Sequence, residues 1–250
     1  MAEIRTVGLK DRLWHELRTD LAKIAPNLAS EDRLICCLCG RLLPIEAFSL
    51  EHIIPQQALA DDPPFVKQVP ALCRSGHTLL CNAPLRQRGK WISQHGCNSW
   101  KGSHFDKALR TIFNGTALTR PVKSNAVMIA SLVAAYLAIF TKYGYKVVLS
   151  EAGLLLRQQF FQPHSFRPKM PVMCQLLLMG QMPEANDASL PMWETPFSFN
   201  FDVPDRCSVG IRNYVVTLPI SRDPRLPSST IIEYLPPKYR FRQDFRPLFS

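Results

Sequence analysis

The residues best suited to chemistry lie in three short stretches. Ser49-Leu50-Glu51-His52-Ile53-Ile54-Pro55 sets a carboxylate and an imidazole side by side at the end of a short apolar run. Cys36-Cys37-Leu38-Cys39-Gly40 precedes it, and Gly96-Cys97-Asn98-Ser99-Trp100-Lys101-Gly102 follows. Glu51 offers one hard oxygen ligand for a divalent ion and Asn98 a second, and carboxylate and amide oxygens suit Mg²⁺ or Mn²⁺. His52, neutral near physiological pH, can take a proton from water. These are the parts needed to hydrolyse a phosphodiester. Cys36 and Cys39 have the spacing of zinc ligands, with Gly40 allowing a tight turn around an ion. Cys37 points out of such a turn and is expected to be a buried spectator.

Several elements must position these groups. Leu9, Leu13, Trp14, Leu17, Leu21 and Ile24 recur at helical spacing among charged residues, which predicts an amphipathic helix ended by Pro26. Ser49 to Ile54 should run extended until Pro55 stops the strand. Asn98 should open a helix running through Trp100, Phe105, Leu109 and Ile112 to Asn114-Gly115. On that helix Lys101 falls one turn beyond Asn98, where its ammonium would meet a phosphate. Asp106 falls two turns on and off that face, to orient a neighbour or complete the metal shell, and His104 points away. Between Pro55 and Asn98 lies an insertion with turns at Asp61-Asp62-Pro63-Pro64 and Ser75-Gly76. His77 to Cys81 reads as a strand, with Gly89 to Ser93 as its partner across a basic hairpin.

In this order the motifs resemble the HNH endonucleases, the nuclease superfamily with a ββα-metal fold. The resemblance rests on Cys36-x-x-Cys39, Glu51-His52-Ile53-Ile54-Pro55, and Cys97-Asn98-x-x-Lys101-Gly102 with Asp106 beyond, covering roughly residues 34 to 110. Ala135 to Ala138, Tyr143-Gly144-Tyr145 and Leu154 to Arg157 more loosely resemble the chain that follows the motif in some bacterial HNH proteins. The resemblance implies cleavage of DNA by His52 as general base, with Glu51 and Asn98 holding catalytic Mg²⁺ or Mn²⁺, and products with 5′-phosphate and 3′-hydroxyl ends. It also implies a structural zinc on Cys36, Cys39, Cys97 and a fourth ligand. Many relatives carry a second Cys-x-x-Cys ending at the position of Cys97, but here Gln94 stands at its first position. Cys81 is the preferred replacement, with His95, Cys73 and His77 as alternatives. Restriction or phage defence is the biological setting the resemblance suggests.

Composition agrees with a polyanionic substrate. The formal charge is +10, and between Pro84 and Lys123 there are eight Lys or Arg against one acid, Asp106. Such a surface attracts nucleic acid by releasing its counterions. Eight cysteines would suit disulfides in a secreted chain. Met1 to Trp14 lacks the apolar core of a signal peptide, so a reducing cytoplasmic setting and metal ligation are expected instead. Ala126 to Phe140 is apolar but short for a bilayer and is expected to be a buried helix, with no membrane partner.

The expected class is α+β: an N-terminal helix (1–33), a ββα-metal nuclease domain (34–115), a helical segment (116–168) and a β-rich C-terminal region (169–250). Strands are expected at Val172 to Met179, Phe197 to Val203 and Arg212 to Ile220, and Leu154 to Phe161 as a second helix. Cys174 and Cys207 lack ligand spacing. Residues Arg222 to Arg246 carry six basic and three acidic groups that could touch nucleic acid or another subunit. One site of this kind cuts one strand, so a double-strand break needs a homodimer, a second encounter or a protein partner that directs the DNA. Two further readings stay open: a catalytically silent, zinc-stabilised DNA-binding module, and a nuclease that cuts RNA.

Overall fold

The structure is a computed structural model of the 250-residue chain. It describes residues 2–28, 30–87, 90–113, 125–148, 153, 156–157, 160–161, 175–178, 186–201, 206–212 and 214–219. Mixed helices and sheets give the α+β class.

Helix α1 spans Ala2–Ile24, longer than its apolar stripe predicts, and buries Trp14, Leu17 and Leu21. Pro26 opens a 3₁₀ turn where the helix stops. Trp14 and Arg18 both donate to Asp32, at 3.3 and 2.9 Å, fastening the helix to the turn before the first strand. Strands β1 (Arg33–Ile35) and β2 (Leu42–Pro44) pair antiparallel and bracket the Cys36-x-x-Cys39 turn. Gly40 sits at φ 72°, a left-handed conformation that side chains resist, and its N–H closes the turn on the Cys36 carbonyl at 2.7 Å.

Strand β3 (Phe48–His52) pairs antiparallel with β4 (His77–Cys81), placing Phe48 opposite Cys81 and His52 opposite His77. The loop between them carries α2 (Gln56–Ala60) and α3 (Ala71–Ser75). This corrects the expected partner of His77–Cys81. Strand β5 (Leu85–Gln87) takes β6 (Lys90–Ser93) as a local hairpin, and β4 reaches back across the insertion. The reason is burial: Thr78, Leu79, Leu80 and Cys81 are all covered, and a two-stranded hairpin alone could not cover them.

Helix α4 (Cys97–Lys101) continues through a π-helical turn (Gly102–Asp106) into α5 (Lys107–Phe113). Asn114-Gly115, the expected end, lies outside the described residues. Helix α6 (Asn125–Tyr143) is the core of the molecule: from Ile129 to Phe140 every side chain is buried, as suits a helix apolar on all sides. Among the described residues no helix is long and apolar enough to cross a membrane. Gly144, at φ 68°, turns the chain into α7 (Tyr145–Val148), and the Tyr145 N–H donates to Asp20 of α1 at 2.6 Å. Tyr136 and Tyr145 then donate their hydroxyls to the Cys37 and Ile35 carbonyls, at 2.8 and 2.6 Å. Two buried phenols thus pin the backbone of the cysteine turn to the central helix.

The C-terminal strands are β7 (Gln175–Leu178), β8 (Phe197–Asn200), β9 (Arg206–Ile211) and β10 (Tyr214–Pro219), in the sheet order β7-β10-β9-β8. Cys207, Val209 and Ile211 alternate inward on β9, as do Tyr214, Val216 and Leu218 on β10. Strand β9 was not expected from sequence, although its period-2 pattern is plain once Ser208 and Gly210 are placed on the outer face. Helix α8 (Leu190–Glu194) precedes β8. Arg212, in the β9–β10 turn, reaches Asp62 with both terminal nitrogens at 2.7 and 3.0 Å, and Arg74 joins the same buried carboxylate. The core cluster draws buried side chains from the N-terminal helix, the 34–115 region, the helical segment and the C-terminal sheet alike. Half of Leu154 to Phe161, together with Cys174 and Arg222 to Arg246, lies outside the described residues.

Candidate metal centre and the adjoining carboxylate site

Four sulfurs meet where the β1–β2 turn, the end of β4 and the start of α4 converge. Cys36, Cys39, Cys81 and Cys97 are fully buried and free, and their Sγ atoms all lie within 4.8 Å of one another, with Cys39 and Cys81 at 3.6 Å. A tetrahedral zinc with Zn–S bonds of about 2.3 Å separates its sulfurs by about 3.8 Å, so this set could hold a metal ion such as zinc. Gly96 makes the convergence possible: a Cβ there would run into the Cys81 carbonyl and the Asn82 backbone. His95 and Cys73 are exposed, and His77 lies at the far end of β4, so none of these alternatives joins the set. Cys37 is buried beside it as a spectator.

The donor chemistry fits a cation. Burial drives the Cys36 and Cys97 thiols well above the usual range. Burial presses the same way on Cys39, but its thiol neighbours and the Arg41 guanidinium outweigh it and hold this thiol well down. Contact with Cys36 lowers Cys81. Two thiols are thus poised to ionise beside two that are not, and an ion accepting four thiolates would release the remaining protons. Arg41, which sequence reasoning passed over, donates to the Cys39 and Cys81 sulfurs at 3.3 and 3.5 Å. It also donates to the Ala83 and Pro84 carbonyls, each at 2.7 Å. It stands directly after Gly40, but nothing local in the sequence shows that Cys81 folds back beneath it.

The second group of residues starts beside the cluster, with Asn98 next to Cys97, and runs along β3 to the His52–His77 pair, four residues of roughly 3.3 Å each beyond Cys81. Asn98, in the first turn of α4, donates to Ser49 Oγ at 2.5 Å and the Leu50 carbonyl at 3.4 Å, and Ser49 in turn donates to Asn82 at 3.1 Å. Its Oδ1 makes no hydrogen bond among the described residues. One turn on, Lys101 is fully buried, not turned out toward a phosphate as expected. Its Nζ lies 2.6 Å from Glu51, 2.8 Å from Asp106 and 3.0 Å from the His52 carbonyl. The π turn explains where Asp106 falls. Its i to i+5 spacing brings Asp106 under Lys101, whereas α-helical spacing would rotate it away, and Gly102 next to Lys101 is the sequence signal for that irregularity. His104 faces outward and stacks on Trp100, with ring centroids 3.8 Å apart.

Charge in this site is nearly self-contained. Burial would strip the proton from Lys101, but the Glu51 and Asp106 carboxylates prevail and keep it an ammonium. Burial raises the Glu51 carboxyl, and Lys101 offsets only part of that rise. Burial and then the Lys101 charge lower the His52 imidazole, with Asp106 opposing, so the ring is neutral and able to accept a proton. His52 packs edge-on against His77 at 4.6 Å between centroids, and the Gln56 amide lies 3.4 Å from its Nε2. Sequence did not pair the two histidines, because their apposition depends on the β3–β4 register.

No family model matches the chain. No curated protein and no solved structure matches it either. The site's own geometry therefore carries the functional argument.

Proposed function

We propose that this protein is a metal-dependent nuclease of the HNH type, hydrolysing DNA phosphodiester bonds. The observation that carries this reading is the apposition of Glu51-His52, at the end of an antiparallel strand pair, with Asn98 and Lys101 on the helix packed over it. The four-cysteine cluster adjoins this group through Cys97, next to Asn98, and through Cys81, at the far end of β4 from His77. In this reading the strand pair and α4 form a ββα-metal core, and zinc on the four thiols is structural, since four protein ligands leave no position for water.

The chain's own contribution is to hold the reacting groups. His52, kept neutral by burial and by Lys101, takes the proton from the attacking water. Gln56 and the His77 ring restrict its orientation. Glu51 and the free Oδ1 of Asn98 would hold Mg²⁺ or Mn²⁺, an oxygen donor set suited to those ions. When bound, such an ion stabilises the charge developing on the phosphate and the leaving oxygen. The basic stretch from Pro84 to Lys123 supplies attraction for the polyanion. A homodimer or a directing protein partner, and a role in restriction or phage defence, follow only from the family likeness.

One observation favours a second reading: Glu51 is already engaged by Lys101. A zinc-stabilised DNA-binding module that does not cut would leave it so. Plasmid nicking by the zinc-loaded protein in Mg²⁺, Mn²⁺ or EDTA separates the two, with single-stranded RNA as a parallel substrate. The expected result is metal-dependent nicking that falls by about 10²–10⁴ in His52→Ala at equal zinc content. Nicking that persists in EDTA or in His52→Ala would overturn the assignment. DNA binding without cleavage would establish the binding module.

A further inference from the structure

Lys101 is an unusual neighbour for a divalent-metal ligand. It is 0% exposed, and its ammonium is surrounded by three oxygens at 2.6 to 3.0 Å: Glu51 Oε1, Asp106 Oδ1 and the His52 carbonyl. Hard oxygens at such positions are what a small cation seeks. The two carboxylates differ in one respect that matters. Glu51 belongs to the proposed metal site and is buried, whereas Asp106 comes from the π turn and its side chain is 21% exposed. The ammonium therefore has a second partner, nearer solvent, that is no part of the Glu51–Asn98 ligand pair.

We propose that Lys101 is a built-in counter-cation that occupies Glu51 in the metal-free protein, and that a divalent ion binds only as the ammonium yields Glu51 and falls back on Asp106. This rests on the nuclease reading of the same site and adds its regulation. Stripping a buried charge of all its partners is strongly unfavourable, and Asp106 removes that obstacle. Charge also changes sign. Two carboxylates and one ammonium leave one negative charge, which repels a phosphodiester. A divalent ion converts this to one positive charge, which attracts it. Metal and DNA should consequently bind cooperatively, each weak without the other.

The test uses the zinc-loaded full chain and two readouts. By calorimetry with Mn²⁺ alone, Lys101→Met should bind roughly tenfold or more tighter than wild type, and Asp106→Asn more weakly than wild type. By peptide-resolved amine labelling of the wild type, which needs no variant to fold, Lys101 should be protected without metal and become reactive in saturating Mg²⁺ or Mn²⁺. A Lys101 that stays equally protected at saturation, or a Lys101→Met that binds Mn²⁺ no tighter, overturns the proposal and makes Lys101 a fixed anchor for Glu51. Metal-dependent nicking alongside a protected Lys101 would leave the nuclease reading standing while this one falls. Tight, Glu51-dependent Mn²⁺ binding by Lys101→Met, with no cleavage by the wild type, would do the reverse.

Discussion

At one end of the β3–β4 ladder four buried sulfurs converge with the Arg41 guanidinium at their edge. At the other end two carboxylates converge on an ammonium supplied by the chain itself. Both clusters gather like-charged groups in a dry layer between strand and helix, where charges of one sign cannot be left unbalanced. As four thiolates, the cysteine end would carry far more negative charge than Arg41 can offset, which is why the proposed zinc is assigned to this end. The carboxylate end is balanced to within one charge by covalently attached groups. In the proposed reading, metal at the first end would be part of the fold, and metal at the second a ligand the fold can do without.

Removing a thiol is the severest test of that contrast. Cys81→Ser takes away the ligand that ties β4 to the cysteine turn, and zinc content should drop to near zero with loss of the folded state, because structural zinc supplies folding energy outright. Zinc by atomic absorption and far-UV circular dichroism on the same sample check this. A folded, zinc-free Cys81→Ser would show that the thiol end is as self-sufficient as the carboxylate end, and the contrast would vanish.

Much of both sites is legible in the sequence, for a reason the contrast makes clear. Cys36-x-x-Cys39-Gly40, Glu51-His52 and the Asn98 helix are local patterns, and local spacing dictates which residues share a turn or a face. The buried helix around Ala126 to Phe140 is legible for the same reason: apolar residues on every side leave no solvent face. What stayed hidden is which face meets which. Thiolate chemistry favours Cys81 as fourth ligand, but local spacing suggests the wrong partner for its strand, since β4 pairs with β3 across the whole insertion. Arg41, His77 and Gly96 acquire their roles only through that pairing. Asp106 was misplaced because an α-helical wheel cannot anticipate a π turn.

Arg41 offers an intermediate test, since its guanidinium donates directly to two of the sulfurs. Arg41→Met should fold with zinc bound but release it more readily, with affinity lower by about 10- to 100-fold, the usual consequence of removing an outer partner of a metal ligand. Competition with a chromogenic chelator measures it. Complete loss of zinc and fold would mean that the guanidinium contributes as much as a ligand, and that the thiol end too leans on an internal charge.

The smallest effect sits at the histidine end of the ladder and separates the two ends by pH. Burial and the nearby His52 push the His77 imidazole down to about 4, from an ordinary value of 6.5. Between those values the unfolded chain binds a proton that the native chain does not, so stability must fall as pH falls through that window and level off below it. His77→Phe keeps a ring against His52 but cannot titrate. With zinc held in excess, its unfolding free energy should decline less than that of wild type between neutral pH and about pH 5. The difference should be about 1 kcal/mol, reduced from the full linkage value because the ring is only half-buried. Denaturant titrations of both proteins across that range give the two curves. Parallel curves would mean that His77 is not held neutral in the native state, and that the acid sensitivity of the molecule arises from other groups, the buried His52 among them.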